Sequence, residues 1–337
     1  MDNYLDFPLS EGIMTSPSTG GKQAPTTKQT AMTKKAKIDA YQRVTDRVLE
    51  LIEQGVAPWR KTWQGTATEG PVSMSTGKEY QGINWILLSW AGYGSRYWGT
   101  YKSITENGGQ VRKGEKATPI IFWSFIEKKD EKTGEVTTVG FLRNFSVFNL
   151  EQADWADGVP EKFQPAEAAV TAPTVQPIEA AEAIAQGYLE GVNPPTFEPT
   201  KGDRAYYSPS ADRVVVPEID LFEGPGEYYS TLFHELGHST GHADRLKRPG
   251  VVKFDKFGSH QYSKEELVAE FTACFLCADA GIEDTRENSA AYLANWSKVI
   301  KEDKRLLVQA ATQAQKAATM IREGGAKPAK KEVKQAA

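Results

Sequence analysis

The stretch LFHELGHSTGHADRL, residues 232–246, holds three of the four histidines in this chain of 337 residues. Within it, His234-Glu235-Leu236-Gly237-His238 limits the local fold more than any other segment. Two imidazoles four residues apart share a face only if the segment is an α-helix. The preceding YYSTLF supplies the amphipathic pattern of such a helix, and Gly237 permits close approach of a neighbouring element. Stacked in this way, His234 and His238 can reach one ion. Glu235 lies beside them, where a carboxylate can hold a water molecule and take its proton. Zn²⁺ suits such a pair because it lowers the pKa of its water to about 7. The five-residue pattern also arises by chance, so the amphipathic context and the lack of distant histidines carry part of the argument.

A catalytic zinc site commonly takes three protein ligands. Three carboxylates compete for the third place. Asp244 would complete HExxHxxGxxD, with Gly241 turning the chain. Glu266 sits in SKEELVAEF on the next expected helix, with Glu270 one turn later on the same face. The spacing resembles the gluzincin arrangement, which implies that Glu266 binds the ion and Glu270 holds a histidine from behind. Glu265 is the remaining candidate. Glu266 is preferred, because Glu270 beside Phe271 begins an apolar run where an unpartnered carboxylate would be costly to bury. His242 and His260 are expected to line the cleft or lie on the surface.

Composition narrows the class. No run approaches the roughly 20 apolar residues of a membrane span, and the acidic N-terminus MDNYLDFPLSEGIMTS has no apolar core of the signal-peptide kind. Cys274 and Cys277 lie three apart in a helix-like run and read as small buried residues rather than a disulfide. A cytoplasmic location is expected. The net charge of −4 hides an asymmetry: residues 34–129 carry 15 Lys/Arg against 9 Asp/Glu, an excess of 15 − 9 = +6. Such a split points to a nucleic-acid-binding part joined to something else.

The order of patterns predicts an α+β fold in two domains. Residues 1–35, rich in Ser, Thr, Gly, Lys and Gln, read as a disordered leader. Residues 36–157 form the first domain. It begins with a helix whose apolar face is Tyr41, Val44, Val48, Leu51 and Ile52, stopped by Gly55. A helix in INWILLSWAGYG and another in YKSITENGG follow, then two strands joined by the charged turn EKTGE. A Pro- and Ala-rich linker covers 158–178. The second domain, 179–324, is mainly helical with a small sheet. It contains a helix near IEAAEAIAQGYLEG, two short strands around SPS, helices over Tyr228–Thr240 and Ser263–Asp279, and a final helix over roughly Ser289–Ile321. Residues 325–337 read as a disordered tail.

The segments HELGHSTGHADRLKR, EELVAEFTACFLCADAGI and YLANWSKVIKED resemble the zincin-like metallopeptidase domain of polyvalent proteins. YQRVTDRVLELIEQGVAPWRKTW, YQGINWILLSW, WGTYKSITENGGQVRKGEKATPIIFW and FSVFNLEQ resemble the N-terminal DNA-binding domain of ArdC-type antirestriction proteins. The resemblance covers roughly residues 38–322, with both domains in the expected order. It implies a single-stranded-DNA-binding protein, carried by plasmids or phages, that protects incoming DNA from host restriction. It also implies a zinc-dependent metallopeptidase-like centre of His234, His238 and Glu266, with Glu235 as general base, Glu270 behind the ligands, and Mn²⁺ or another divalent ion as the alternative to Zn²⁺. Asp244 is not a position where the family motif calls for a ligand.

The first domain supports that expectation on physical grounds. Six of the eight tryptophans lie between Trp59 and Trp123, interleaved with cations. Single-stranded DNA is held by aromatic faces for bases and cations for phosphates. PWRKTW places two rings and two cations within six residues, and GGQVRKGEK is a Gly-rich basic turn suited to a phosphate path. The candidate DNA contacts are Trp59, Arg60, Lys61, Trp63, Lys78, Asn84, Trp98, Lys102, Arg112, Lys113 and Lys116. Trp85, Trp90 and Trp123, inside apolar runs, read instead as core. Two functions follow: DNA protection with a peptidase-like domain attached, or a metalloprotease acting on a host protein, with the DNA domain serving only for localisation.

Overall fold

The computed structural model describes residues 39–53, 70–129, 134, 136–164, 177–253, 260–282 and 290–326. The leader, the tail beyond Ala326, PWRKTW with Trp59, Arg60, Lys61 and Trp63, and the side chain of His260 lie outside the described residues.

The amphipathic helix expected at the start is α1 (Ala40–Glu53), which buries Ala40, Val44, Val48, Leu51 and Ile52 at helical spacing. A short strand β1 (Val72–Ser73) leads to α2 (Ile83–Ser89), then to β2 (Tyr97–Gly99) and α3 (Tyr101–Glu106). Helix α3 begins where the Thr100 hydroxyl accepts a hydrogen bond from the Ser103 N–H at 3.1 Å, an N-cap. It ends at Gly108, whose φ of +86° is cheap only for glycine. Gly109 belongs instead to β3 (Gly109–Val111), where a Cβ would meet Ile104 and the Trp155 ring at 2.8 Å.

The two strands around EKTGE are β4 (Thr118–Lys129) and β5 (Val136–Asn149), paired antiparallel from Thr118↔Val147 to Lys129↔Val136. They complete a four-stranded sheet of order β1-β2-β5-β4. Strand β6 (Ala153–Trp155) pairs with β3. The expected linker is not a tether along its first part. Glu161–Phe163 forms a 3-10 turn, and Phe163 is buried in a small cluster with Ile104 and Leu150. Residues 165–176 of that linker lie outside the described residues.

The second half opens with α4 (Pro177–Leu189) and a three-stranded sheet of β7 (Thr196–Thr200), β8 (Tyr206–Ser208) and β9 (Arg213–Pro217), ordered β7-β9-β8. Strand β7, TFEPT, has too little alternation to stand out in the sequence; it forms because it runs parallel to the buried β9. The helices α5 (Pro225–Ser239), α6 (Pro249–Val252) and α7 (His260–Ala280) follow. The single last helix expected from the sequence is two, α8 (Ala290–Glu302) and α9 (Leu306–Arg322). Between them the Asp303 carboxylate accepts from the Arg305 N–H at 2.8 Å, a local side-chain bond that competes with helix continuation.

One core joins the two halves. Residues of α1 and α2 share a buried cluster with α4, α5, α7, α8 and α9. Trp85 meets Phe275 of α7 edge-on at 5.3 Å, and Trp90 meets Phe271 at 6.3 Å. Lys304 pairs with Asp39 at 2.6 Å, and the Gly82 N–H donates to Gln315 at 3.1 Å. Residues 38–337 accordingly fall into one compact unit. Trp85 and Trp90 are buried as expected, but against the other half of the chain.

Candidate functional site

Helix α5 presents His234 and His238 to α7, and Gly237 sets the separation. A Cβ there would lie 3.2 Å from Thr272 Cβ and 3.3 Å from Ala269 Cα, so any larger residue would have to push the two helices slightly apart. On α7, Glu266 faces the pair. His234 Nε2 and His238 Nε2 are 3.2 Å apart, and each lies 3.6 Å from a Glu266 oxygen. These are the only three residues, among those described, grouped closely enough to hold an ion, their ligand atoms all within 4.8 Å of one another. Ligand atoms about 2.0–2.1 Å from a tetrahedral centre are necessarily roughly 3.3 Å apart. The donor set, two imidazole nitrogens and a carboxylate oxygen, therefore fits a divalent ion. Glu235 is buried, and its charge acts on His234.

The electrostatics favour a cation. Burial opposes protonation of His234, but the carboxylates of Glu266, Glu270 and Glu235 outweigh it and hold its pKa up to about 9. Behind the nitrogens that face the centre, Glu270 Oε1 lies 3.9 Å from His234 Nδ1 and Glu265 Oε1 lies 3.3 Å from His238 Nδ1.

Of the other candidate ligands, Asp244 points elsewhere. Its side chain is mostly exposed and lies 3.6 Å from His242 Nδ1. His242 borders a small pocket with Pro209, Ser210 and Val252. Glu265 is on the Nδ1 side of His238, where it also accepts from Arg248 at 2.6 Å. Burial would raise its carboxyl pKa, yet the Arg248 charge and the His238 and Arg248 hydrogen bonds hold it below the usual range.

Sequence reasoning missed the role of two arginines. Arg248 is buried and bonds to Thr240, Gly237 and Glu265; Arg245 is buried against Asp212 and donates to the Ser239 carbonyl at 2.7 Å. Both pin the segment after α5. The signal was present in ADRLKR, two arginines three apart right after the motif, but it reads as ordinary solvated charge.

In the first half, two proposed DNA contacts are structural. Trp98 is buried, packed edge-on to Tyr93 at 5.5 Å. Asn84 is also buried, its amide donating to the Ile121 carbonyl at 2.7 Å and accepting from the Ile121 N–H at 2.9 Å. Both line a cleft beside Lys78 and Phe122, but with side chains that are almost wholly buried. Arg112 is committed to Glu115 at 2.8 Å and to the Glu151 carbonyl at 2.6 Å, and Lys102 to Glu106 at 3.5 Å. Lys78, Lys113 and Lys116 are exposed, with no ion pair among the described residues.

The reading of Trp123 as core is also overturned: it is 57% exposed. The outer part of β4–β5 projects as a ribbon with Phe122, Trp123, Phe125, Phe141 and Phe145 exposed. Phe122 and Phe145 meet edge-on at 5.7 Å, and the Arg143 guanidinium lies 5.6 Å from the Phe145 ring centre. At the base of the ribbon is a cleft of about 840 Å³, bordered by Lys78, Tyr80, Gly82, Phe122 and Trp123, with Val308 and Thr312 of α9 on its far wall. The IIFWSFI run looked buried because every residue but Ser124 is apolar; with β5 it forms a two-stranded ribbon that exposes apolar side chains on both faces.

A helix carrying HExxH, faced by a glutamate from the next helix and flanked by a small sheet, defines a zincin-like metallopeptidase domain. The family of that description, zincin-like metallopeptidase, matches residues 196–313, and the N-terminal domain of anti-restriction factor ArdC matches residues 38–148. The crystal structure of metal-free antirestriction protein ArdC from plasmid R388 is 38% identical, with a TM-score of 0.66, covering 86% of this chain and 98% of that one. The Mn(II)-bound ArdC structure is 37% identical, with a TM-score of 0.64 and coverage of 86% and 99%. The uncharacterized protein y4eC of Sinorhizobium fredii is 33% identical over 83% of this chain and 90% of its own length. The chain belongs to the ArdC antirestriction family. It is also 36% identical to DNA primase TraC of Escherichia coli over 82% of this chain, but spans only 26% of that protein's length.

Proposed function

We propose that the first half of the chain binds single-stranded DNA and so protects incoming plasmid or phage DNA from host restriction in the bacterial cytoplasm. The observation that carries this reading is the β4–β5 ribbon, with five exposed rings beside a cleft that Lys78 borders. Aromatic faces stack on any base, at about 1–3 kcal/mol each, while cations follow the phosphates. Lys113 and Lys116, exposed in the Gly-rich basic turn, are further cations available to phosphates. Among the described residues no helix is long and apolar enough to cross a membrane, and none is required. The reading is tested by titrating an unstructured oligonucleotide into the full chain while following tryptophan fluorescence as salt is raised. Quenching that is reduced in Trp123→Phe and weakens with salt supports it; affinity independent of salt contradicts backbone contact.

The second half would hold a divalent ion on His234, His238 and Glu266. Two nitrogens and one carboxylate suit Zn²⁺, and the Mn(II)-bound ArdC structure supports Mn²⁺ as the alternative. When bound, such an ion supplies Lewis-acid polarisation and a lowered water pKa. In peptide hydrolysis, Glu235 would take a proton from the water that adds to the scissile carbonyl and return it to the amine nitrogen as the C–N bond breaks. A buried carboxylate next in sequence to His234, whose charge acts on that imidazole, favours a second reading, peptidase action on a host protein. Glu266→Ala should abolish stoichiometric metal retention, which metal analysis of the purified protein measures directly.

A further inference from the structure

His238 is held from behind far more firmly than His234. The Glu265 carboxylate lies 3.3 Å from His238 Nδ1, whereas Glu270 stands 3.9 Å from His234 Nδ1. Glu265 is itself gripped by Arg248, whose Nε lies 3.2 and 3.0 Å from its two oxygens and whose Nη2 lies 2.6 Å from Oε1. The guanidinium goes on to donate to Thr240 Oγ1 at 2.6 Å and to the Gly237 carbonyl at 2.8 Å. The side chains of Arg248 and Glu265 are only 4% and 8% exposed. Gly241 makes room for them: a Cβ there would lie 2.9 Å from Arg248 Nη2.

We infer that Glu265 is a positioning residue, clamped by Arg248 so that it accepts from His238 Nδ1–H and leaves Nε2 as the nitrogen turned toward His234 and Glu266. This inference rests on the reading that these three residues hold a divalent ion. An imidazole has one acceptor nitrogen when neutral, and the partner of the other nitrogen decides which one it is. Arg248 balances the Glu265 charge, so the carboxylate orients the ring without adding net charge to the centre. One turn of α7 thus supplies both a ligand, Glu266, and the group that aims another ligand. A buried ion pair that only glued α7 to the 240–248 segment would not need to reach Nδ1.

The test separates aiming from glue. Two double variants of the full chain, R248M/E265Q and R248M/E265L, both remove the buried charges and differ only in whether an acceptor oxygen faces Nδ1. Mn²⁺ is titrated into each by calorimetry well below its thermal midpoint. The Leu variant is expected to bind about 10–100-fold more weakly than the Gln variant, the usual cost of losing such a partner, with matching thermal midpoints. The single variants Glu265→Gln and Glu265→Leu should follow the same order. Equal affinity in the two members of a pair, or affinity that merely tracks thermal midpoint, would overturn the positioning role. Wild-type protein that takes up no Mn²⁺ or Zn²⁺ would overturn the ion-binding reading itself, and this inference with it.

Discussion

Around His238 the charged groups are buried and saturated with partners, while along the β4–β5 ribbon five aromatic rings stand in solvent. Each arrangement is the costly one for its residue type. A buried charge is tolerated only when it is paired and hydrogen-bonded, and here Arg248 and Glu265 supply one another within the chain. An exposed apolar patch marks a surface that meets something else, and nothing within the described residues covers the ribbon tip. The charged groups around His238 are satisfied from within the chain, whereas the ribbon leaves its aromatic rings exposed. The two are nevertheless fused, since α2 packs Trp85 and Trp90 onto the helix that carries Glu266.

The largest effect that would sharpen this contrast belongs to Glu235. Glu235→Gln should lower any peptide hydrolysis by about 10²–10⁴-fold, the range for removing a general base, and leave oligonucleotide affinity at the wild-type level. Next comes Arg248→Met, which strands a buried carboxylate. Chemical denaturation should show a loss of about 3–5 kcal/mol, and a loss below about 1 kcal/mol would mean that Glu265 finds water instead. Gly237→Ala pushes a methyl against Thr272 and Ala269, so a destabilisation of about 1–3 kcal/mol is expected, read as a lowered thermal midpoint. On the ribbon, Trp123→Ala should weaken oligonucleotide binding by about 1–3 kcal/mol without changing the thermal midpoint. The smallest effect is that of Lys102→Ala: the residue is exposed and already paired with Glu106, so DNA affinity should stay within about 0.5 kcal/mol of wild type.

The helix-borne centre was largely legible in the sequence, because spacing along a helix translates directly into a shared face. His234 and His238 at i, i+4, and Glu266 with Glu270, needed only the assumption of two packed helices, which Gly237 allows. The Arg248–Glu265 clamp was not legible, because a carboxylate beside a ligand looks like a rival ligand until the side of the imidazole it faces is known. The ribbon was legible as two strands but not as a surface. An apolar run such as IIFWSFI reads as core by composition, and only the pairing register with β5 reveals that its outer half has no third layer. Asn84 failed for the opposite reason: a polar residue in a helix looked available, yet its amide is spent bridging the backbone at Ile121. The break between α8 and α9 depends on one Asp303 side chain, too small a signal against a continuous helical pattern.

On the proposed function, protection comes from the ribbon and its cleft, not from the His234–His238–Glu266 site. The direct measurement is protection of incoming DNA from restriction in cells expressing Glu235→Gln, beside cells expressing Trp123→Ala/Phe125→Ala, at matched protein levels. Glu235→Gln is expected to protect as wild type does, and the ribbon variant is expected not to. Protection lost with Glu235→Gln and kept by the ribbon variant would contradict it.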